Sequence, residues 1–383
     1  MRLAAVLGFF LVLLSWAFHF RVGRQFTDGR QEVFEVTPFA YQSHLALFTS
    51  ATLAVLALAS PSVWVGLALG WMAWSIPLTA VAWARGWIPA AAGSAQQSTS
   101  QMMVAAFASL YVVLSGLLHP ALDLPWWALA VVLWGAFNAW IYISQRSGFG
   151  QPAWLKHTRI VQGGEDMGVL DNGSELAWLM GSSVLAAAYL GLCWHPVFFV
   201  LAAEFMAILL VVKNQSSLVA FATAGSVMVW ALRPEIGRLS GVVVFPLAAV
   251  LFWRNVRHRE NSLVLRLQNW TPAATMAVQS HALGMGLGIW INHQIGKTAD
   301  GRPQHQWTSL HNDWLQSILE VGIVPPLCAL VYLVTQWVWL PATPEAAYAF
   351  AVVASVAVFG CLYYPLRVPH QAFMLVVAMA ALR

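Results

Sequence analysis

The densest group of residues able to do chemistry is His305-Gln306-Trp307-Thr308-Ser309-Leu310-His311-Asn312-Asp313-Trp314-Leu315-Gln316, followed by Glu320-Val321-Gly322. An imidazole titrates near neutral pH, so His311 can take or give a proton or hold a polar group in place. Thr308 or Ser309 suits the N-cap of a helix, and Asp313 in its first turns suits the positive helix end. On such a helix His311 shares a partly apolar stripe with Leu315 and Leu319. Glu320 then falls about half a turn out of phase and is no direct partner of His311. A structural alternative stands beside this: a histidine there packs at an interface and hydrogen-bonds a carbonyl. The neighbours Asn312 and Asp313 favour chemistry.

Cations lie upstream, in Arg254-Asn255-Val256-Arg257-His258-Arg259-Glu260 and at Arg266, within an amphipathic piece running from Leu263 to Val278. Arginine grips oxyanions through paired hydrogen bonds. Lipid-headgroup anchoring is the alternative for Arg254, Arg257 and Arg259, and a solvated helix face is the alternative for Arg266. Gly284, Gly286 and Gly288 follow with no strand and no βαβ unit around them, so they are not a dinucleotide fingerprint. They let the chain turn or approach a neighbouring helix closely. Glu204, deep in an apolar run, needs a partner or a wet cavity; it lines a groove or pairs with a neighbouring helix. Cys193, Cys328 and Cys361 lack C-x-x-C spacing, so neither a disulfide framework nor a zinc site is expected.

The elements that must position these groups follow from composition. Of 383 residues, 60% are apolar and 9% charged. That leaves too little polar surface for a water-soluble core and too much hydrophobicity for disorder. The bilayer is the solvent that fits, and 21 tryptophans suit aromatic belts at its surfaces. Apolar windows long enough to span hydrocarbon lie near 3–20, 43–60, 62–84, 101–118, 125–143, 176–193, 196–212, 216–232, 239–253, 323–341, 345–362 and 367–382. The first is not read as a cleavable signal, because His19-Phe20-Arg21-Val22 offers no small-residue cleavage site.

Tight connections alternate with long polar ones at 21–42, 85–100, 144–175 and 254–322, so twelve spans put every long connection on one face. The positive-inside rule alone would place that arginine-rich face in the cytoplasm, but long segments translocate largely regardless of charge. A need for cations outside reconciles the two. The expected fold is therefore all-α: a polytopic membrane protein of about twelve transmembrane helices with one large loop carrying amphipathic helices. Its parts are an N-terminal bundle over 1–253, that loop over 254–322, which the resemblance given below makes periplasmic and catalytic, and C-terminal helices over 323–383. No paired, broken repeats of the transporter kind are visible.

Several motifs resemble one family. His311-Asn312-x-x-Leu315 with Glu320-x-Gly322, preceded by Gly284-x-Gly286-x-Gly288, looks like the O-antigen ligase-related family of lipopolysaccharide O-antigen ligases and O-antigen polymerases. Arg266-x-x-x-Trp270 sits where that family often carries an arginine ahead of a tryptophan. Tyr364-Pro365-Leu366-Arg367-Val368-Pro369 resembles its Pro-Leu-x-x-Pro stretch, and Asn172-Gly173-Ser174-Glu175-Leu176-Ala177 echoes the segment opening a middle span. The likeness covers about 170–383. Where the family often has Ser-Arg beside a middle span, this chain has Lys213-Asn214-Gln215-Ser216-Ser217, a point charge in place of a bidentate fork.

The resemblance implies a C-type glycosyltransferase-like enzyme of the bacterial inner membrane. It would use no metal and no cofactor, and would move a glycan from undecaprenyl diphosphate to an acceptor glycan or a lipid A core. His311 would be catalytic, and Arg266, Arg257 and Lys213 would hold the diphosphate. Asn312, Asp313, Glu320, Gly286 and Gly288 would support them. Membrane lipids are expected partners and nucleic acid is not. A flippase of lipid-linked sugars is one alternative. A haem-handling protein is another, with His19, His44, His119 and His195 as axial candidates.

Overall fold

A computed structural model describes residues 39–84, 95–118, 123–147, 170, 173–212, 214–233, 260–279, 284–286 and 310–382. Among these residues every regular element is helical. The α-helices are α1 (Phe39–Ala59), α2 (Val63–Ala84), α3 (Ala95–Val113), α4 (Leu124–Ser147), α5 (Gly173–Cys193), α6 (Phe198–Val212), α7 (Gln215–Leu232), α8 (Glu260–Gln279), α9 (Asp313–Val321), α10 (Val324–Val338), α11 (Pro344–Phe359) and α12 (Pro369–Ala381). A π-turn continues α3 over Leu114–Leu118, and a 3₁₀ turn, Pro365–Arg367, precedes α12.

The helices form where apolar residues run unbroken. The windows expected near 43–60, 62–84, 101–118, 125–143, 176–193, 196–212, 216–232, 323–341, 345–362 and 367–382 each carry one. Those near 3–20 and 239–253 lie outside the described residues. By length and composition, α4 and α5 are long and apolar enough to cross a membrane. Large apolar side chains also stand on the outside of the bundle: Leu58 is 88% exposed, Val278 and Trp339 78% each, and Trp126 and Trp74 are exposed too.

Aromatic pairs set the direction of the central helices. Tyr189 of α5 stacks on Tyr348 of α11 with ring centroids 4.7 Å apart, and the Cys193 thiol lies 3.8 Å from the Glu345 carboxylate. The end of α5 therefore meets the start of α11, and the two run antiparallel. At the opposite end, Trp178 meets Phe221 of α7 and His370 of α12, each at 6.0 Å. There the Asn214 side-chain amide also donates to Ser174 Oγ at 2.7 Å. The N-termini of α5, α7 and α12 thus gather at one end of the bundle, together with the C-terminus of α11. We call this the polar end.

The main core runs through α1–α7, α11 and α12, with Trp178, Tyr189 and Phe359 fully enclosed. A second, smaller core lies over the polar end. It joins Ala273 and Ala277 of α8 to Met285, Leu310 and Leu319. This second core is what fixes the segment around His311.

Candidate functional site

Helix α9 does not begin where the sequence suggested. Thr308 and Ser309 lie outside the described residues, and the N-cap is Asn312, whose side-chain oxygen accepts the Leu315 N–H at 2.9 Å. Four residues with capping side chains crowd this stretch, and tertiary bonds decide which one caps. His311 is consequently not on the helix and shares no stripe with Leu315 and Leu319. It precedes the cap with φ of 52°, and among the described residues it is the one non-glycine residue at positive φ.

Such a left-handed backbone persists only where its surroundings over-determine it. Here they do. The Leu310 carbonyl accepts the Trp270 indole N–H at 2.8 Å, and the Leu310 N–H donates to Gln316 Oε1 at 3.0 Å. On the other side of His311, the Asp313 N–H donates to Gly360 O at 2.8 Å and to Tyr363 O at 3.2 Å. The Asp313 carboxylate accepts the Leu366 N–H at 2.7 Å. Residues before and after the histidine are thus tied to α8, α9 and the 360–366 turn.

The far end of α9 is closed by the glycine segment. The Met285 and Gly286 N–H groups donate to the Leu319 and Glu320 carbonyls at 2.8 and 2.9 Å, satisfying acceptors that a helix C-terminus leaves open. Gly284 has φ of 83°, and a Cβ there would stand 2.6 Å from both Glu320 O and Gly322 N. Only glycine allows that approach. The Trp71 indole of α2 donates to Val321 O at 2.8 Å, and the Trp314 indole to Ala357 O at 2.9 Å. Tryptophans read from composition as belt residues serve here as ties.

The remaining candidates fall as follows. Glu320 is 2% exposed and accepts the Gln316 amide at 2.8 Å, so it meets the histidine loop through Gln316. Arg266 is half-buried on α8, one turn before Trp270 and on the same face. Arg257, Lys213 and Gly288 lie outside the described residues. Asn214 caps α7 at the polar end. The starts of α5 and α7 therefore meet through Ser174 and Asn214.

Glu204 requires a correction. Expected to line a groove or to pair with a neighbouring helix, it stands exposed on α6, because Ala202, Phe205 and Leu209 form the buried stripe. Of the histidines considered for haem, His195 lies in the exposed α5–α6 turn, where its Nδ1 accepts the Val197 N–H at 3.2 Å. His44 falls on α1, and His19 and His119 lie outside the described residues.

Sequence reasoning missed the aromatic wall. The His311 ring meets Tyr364 at 5.0 Å and Tyr363 at 5.9 Å, both nearly perpendicular to it, while the two tyrosines stack on each other at 4.1 Å. Their hydroxyls are 3.2 Å apart. The visible signal was an aromatic doublet directly before Pro365. Farther along, a cavity of about 190 Å³ lies between α4 and α12 over α5 and α11, lined by Leu124, Trp127, Tyr348, Phe373 and Met374 with His370 in its wall. No family model, curated protein or solved structure matches the chain.

Proposed function

We propose that the protein is a polytopic membrane glycosyltransferase of the O-antigen ligase or O-antigen polymerase type. It would sit in the bacterial inner membrane with about twelve spans, its 254–322 segment facing the periplasm. It moves a glycan from undecaprenyl diphosphate to an acceptor hydroxyl. The observation that carries the reading is the strained His311 backbone, pinned on both sides at the polar end. Backbone strain of this sort clusters at functional sites. Apolar side chains across the outside of the bundle support the membrane setting, since water-soluble surfaces do not carry such area.

In the proposed reaction the acceptor oxygen attacks the anomeric carbon of the donor glycan. His311 receives the hydroxyl proton or directs it, the new glycosidic C–O bond forms, and the bond to the diphosphate oxygen breaks. The leaving undecaprenyl diphosphate keeps that electron pair. Arg266, with Arg257 and Lys213, balances its charge, and arginine does so in a bidentate manner. The three helix N-termini of α5, α7 and α12 outweigh the one C-terminus, of α11, gathered at the same end and leave a net positive potential there.

Gel analysis of surface glycan in a deletion strain tests this. Loss of all attached chains identifies a ligase, and a single repeat left on the core identifies a polymerase. An unchanged ladder refutes both. Complementation with His311→Ala should fail although the protein reaches the membrane, and a reporter fused at Asp300 should report the periplasm.

A further inference from the structure

The ties around Leu310, Asn312 and Asp313 fix the His311 backbone, but they leave the rotation of its ring open. Two tyrosine rings meet it, and the three centroid separations at this site show from which side. Distances of 5.0, 5.9 and 4.1 Å close a triangle with nearly a right angle at Tyr364. The imidazole therefore lies beside the tyrosine stack, against the rims of both rings, and not over a face. We propose that the stacked pair, with Tyr364 foremost, is the positioning element of this site: the two rims set the plane of the imidazole so that its nitrogens meet the acceptor hydroxyl in one orientation. This rests on the catalytic reading of His311.

The stack can do this because it shares a mount with the histidine. Tyr363 is 5% exposed, its ring lies 4.7 Å from the enclosed Phe359, and its carbonyl accepts the Asp313 N–H. Asp313 in turn holds the Leu366 N–H just beyond Tyr364. Ring and rims thus hang from the same helix start, and thermal motion of α9 moves them together. Two perpendicular contacts from stacked neighbours remove a rotational freedom that one contact would leave.

The test compares Tyr364→Phe, which keeps the rim, with Tyr364→Leu, which removes it, in protein reconstituted with an undecaprenyl-diphosphate-linked glycan. Misplacing a reacting group by about 1 Å can lower a rate on the order of 100-fold. Tyr364→Leu should accordingly lose roughly 10- to 100-fold in kcat with KM nearly unchanged, and Tyr364→Phe should stay within about 3-fold of wild type. Equal loss in both variants, or a wild-type kcat in Tyr364→Leu, overturns the proposal.

An NMR readout keeps this separable from the catalytic reading. The His311 ring signal, assigned as the one absent in His311→Gln, should be single in wild type and Tyr364→Phe but broadened or multiple in Tyr364→Leu. If His311→Gln retains full transfer, the catalytic reading fails and the ring signal alone decides: one sharp signal in Tyr364→Leu refutes positioning. Should Tyr364→Leu not insert, Tyr364→Met takes its place with the same expectations.

Discussion

Replacing His311 by glycine and by alanine should reverse the usual order of these two residues. Alanine in a helix or strand is more stable than glycine by roughly 0.5–1 kcal/mol, because glycine loses more chain entropy on folding. At position 311 the backbone is left-handed, with φ of 52°. That conformation costs an ordinary L-residue about 1–2 kcal/mol and glycine almost nothing. Histidine is among the residues better tolerated there, so wild type carries less than the full cost. Subtracting the entropy term leaves glycine ahead of alanine by about 0.5–1 kcal/mol. Both variants lose the tyrosine contacts, about 0.5–1.5 kcal/mol per aromatic pair, but that loss is common to both and cancels. The assay is equilibrium unfolding of His311→Gly and His311→Ala side by side in the same lipid–detergent micelles, with glycan transfer measured on the same preparations. Transfer should vanish in both, and glycine should be the more stable. Alanine ahead by its ordinary margin would show that the backbone at 311 is not held left-handed, and the strain reasoning would go with it.

Other perturbations probe the supports. Asp313→Asn turns a hydrogen bond to a charged acceptor into a neutral one, a loss of about 1–2 kcal/mol. Exchange of the Leu366 amide should therefore quicken by roughly 5- to 30-fold in hydrogen-exchange mass spectrometry, whereas unchanged protection would contradict the bond. Gly284→Ala meets both the left-handed penalty and a backbone clash at 2.6 Å, so thermal unfolding should shift downward by more than the ~1 kcal/mol of the penalty alone, and transfer should fall. A wild-type melting curve would exclude the close approach. Glu204→Leu removes a carboxylate from an exposed apolar helix face, a gain of roughly 2–3 kcal/mol within a bilayer, and should leave transfer intact; loss of transfer would return Glu204 to the site.

Helix positions were legible because unbroken apolar runs admit little else. The ten expected windows that fall on described residues carry helices, and the amphipathic stretch from Leu263 to Val278 lies inside α8. The glycine run was legible as a close approach, but not which helix it approaches, since Gly284 and Glu320 are far apart in sequence. The start of α9 was not legible. Thr308, Ser309, Asn312 and Asp313 all suit a cap, and the choice falls to Asn312 because the Gly360 and Tyr363 carbonyls fix Asp313 from outside the local sequence. For the same reason Tyr363 and Tyr364 went unassigned: their partner His311 lies more than fifty residues earlier, and periodicity carries nothing across that separation. Glu204 was misplaced because helical phase depends on which face is buried, which an apolar run such as Phe198–Val212 leaves unmarked.

On the proposed function, one imidazole, with cations to balance the leaving charge, transfers glycan from a lipid diphosphate. Purified protein in vesicles, given radiolabelled undecaprenyl-diphosphate glycan and acceptor, measures it directly. Wild type should form labelled product and release undecaprenyl diphosphate in equal amounts, while correctly inserted His311→Ala should form neither. Equal product from both proteins would contradict the account.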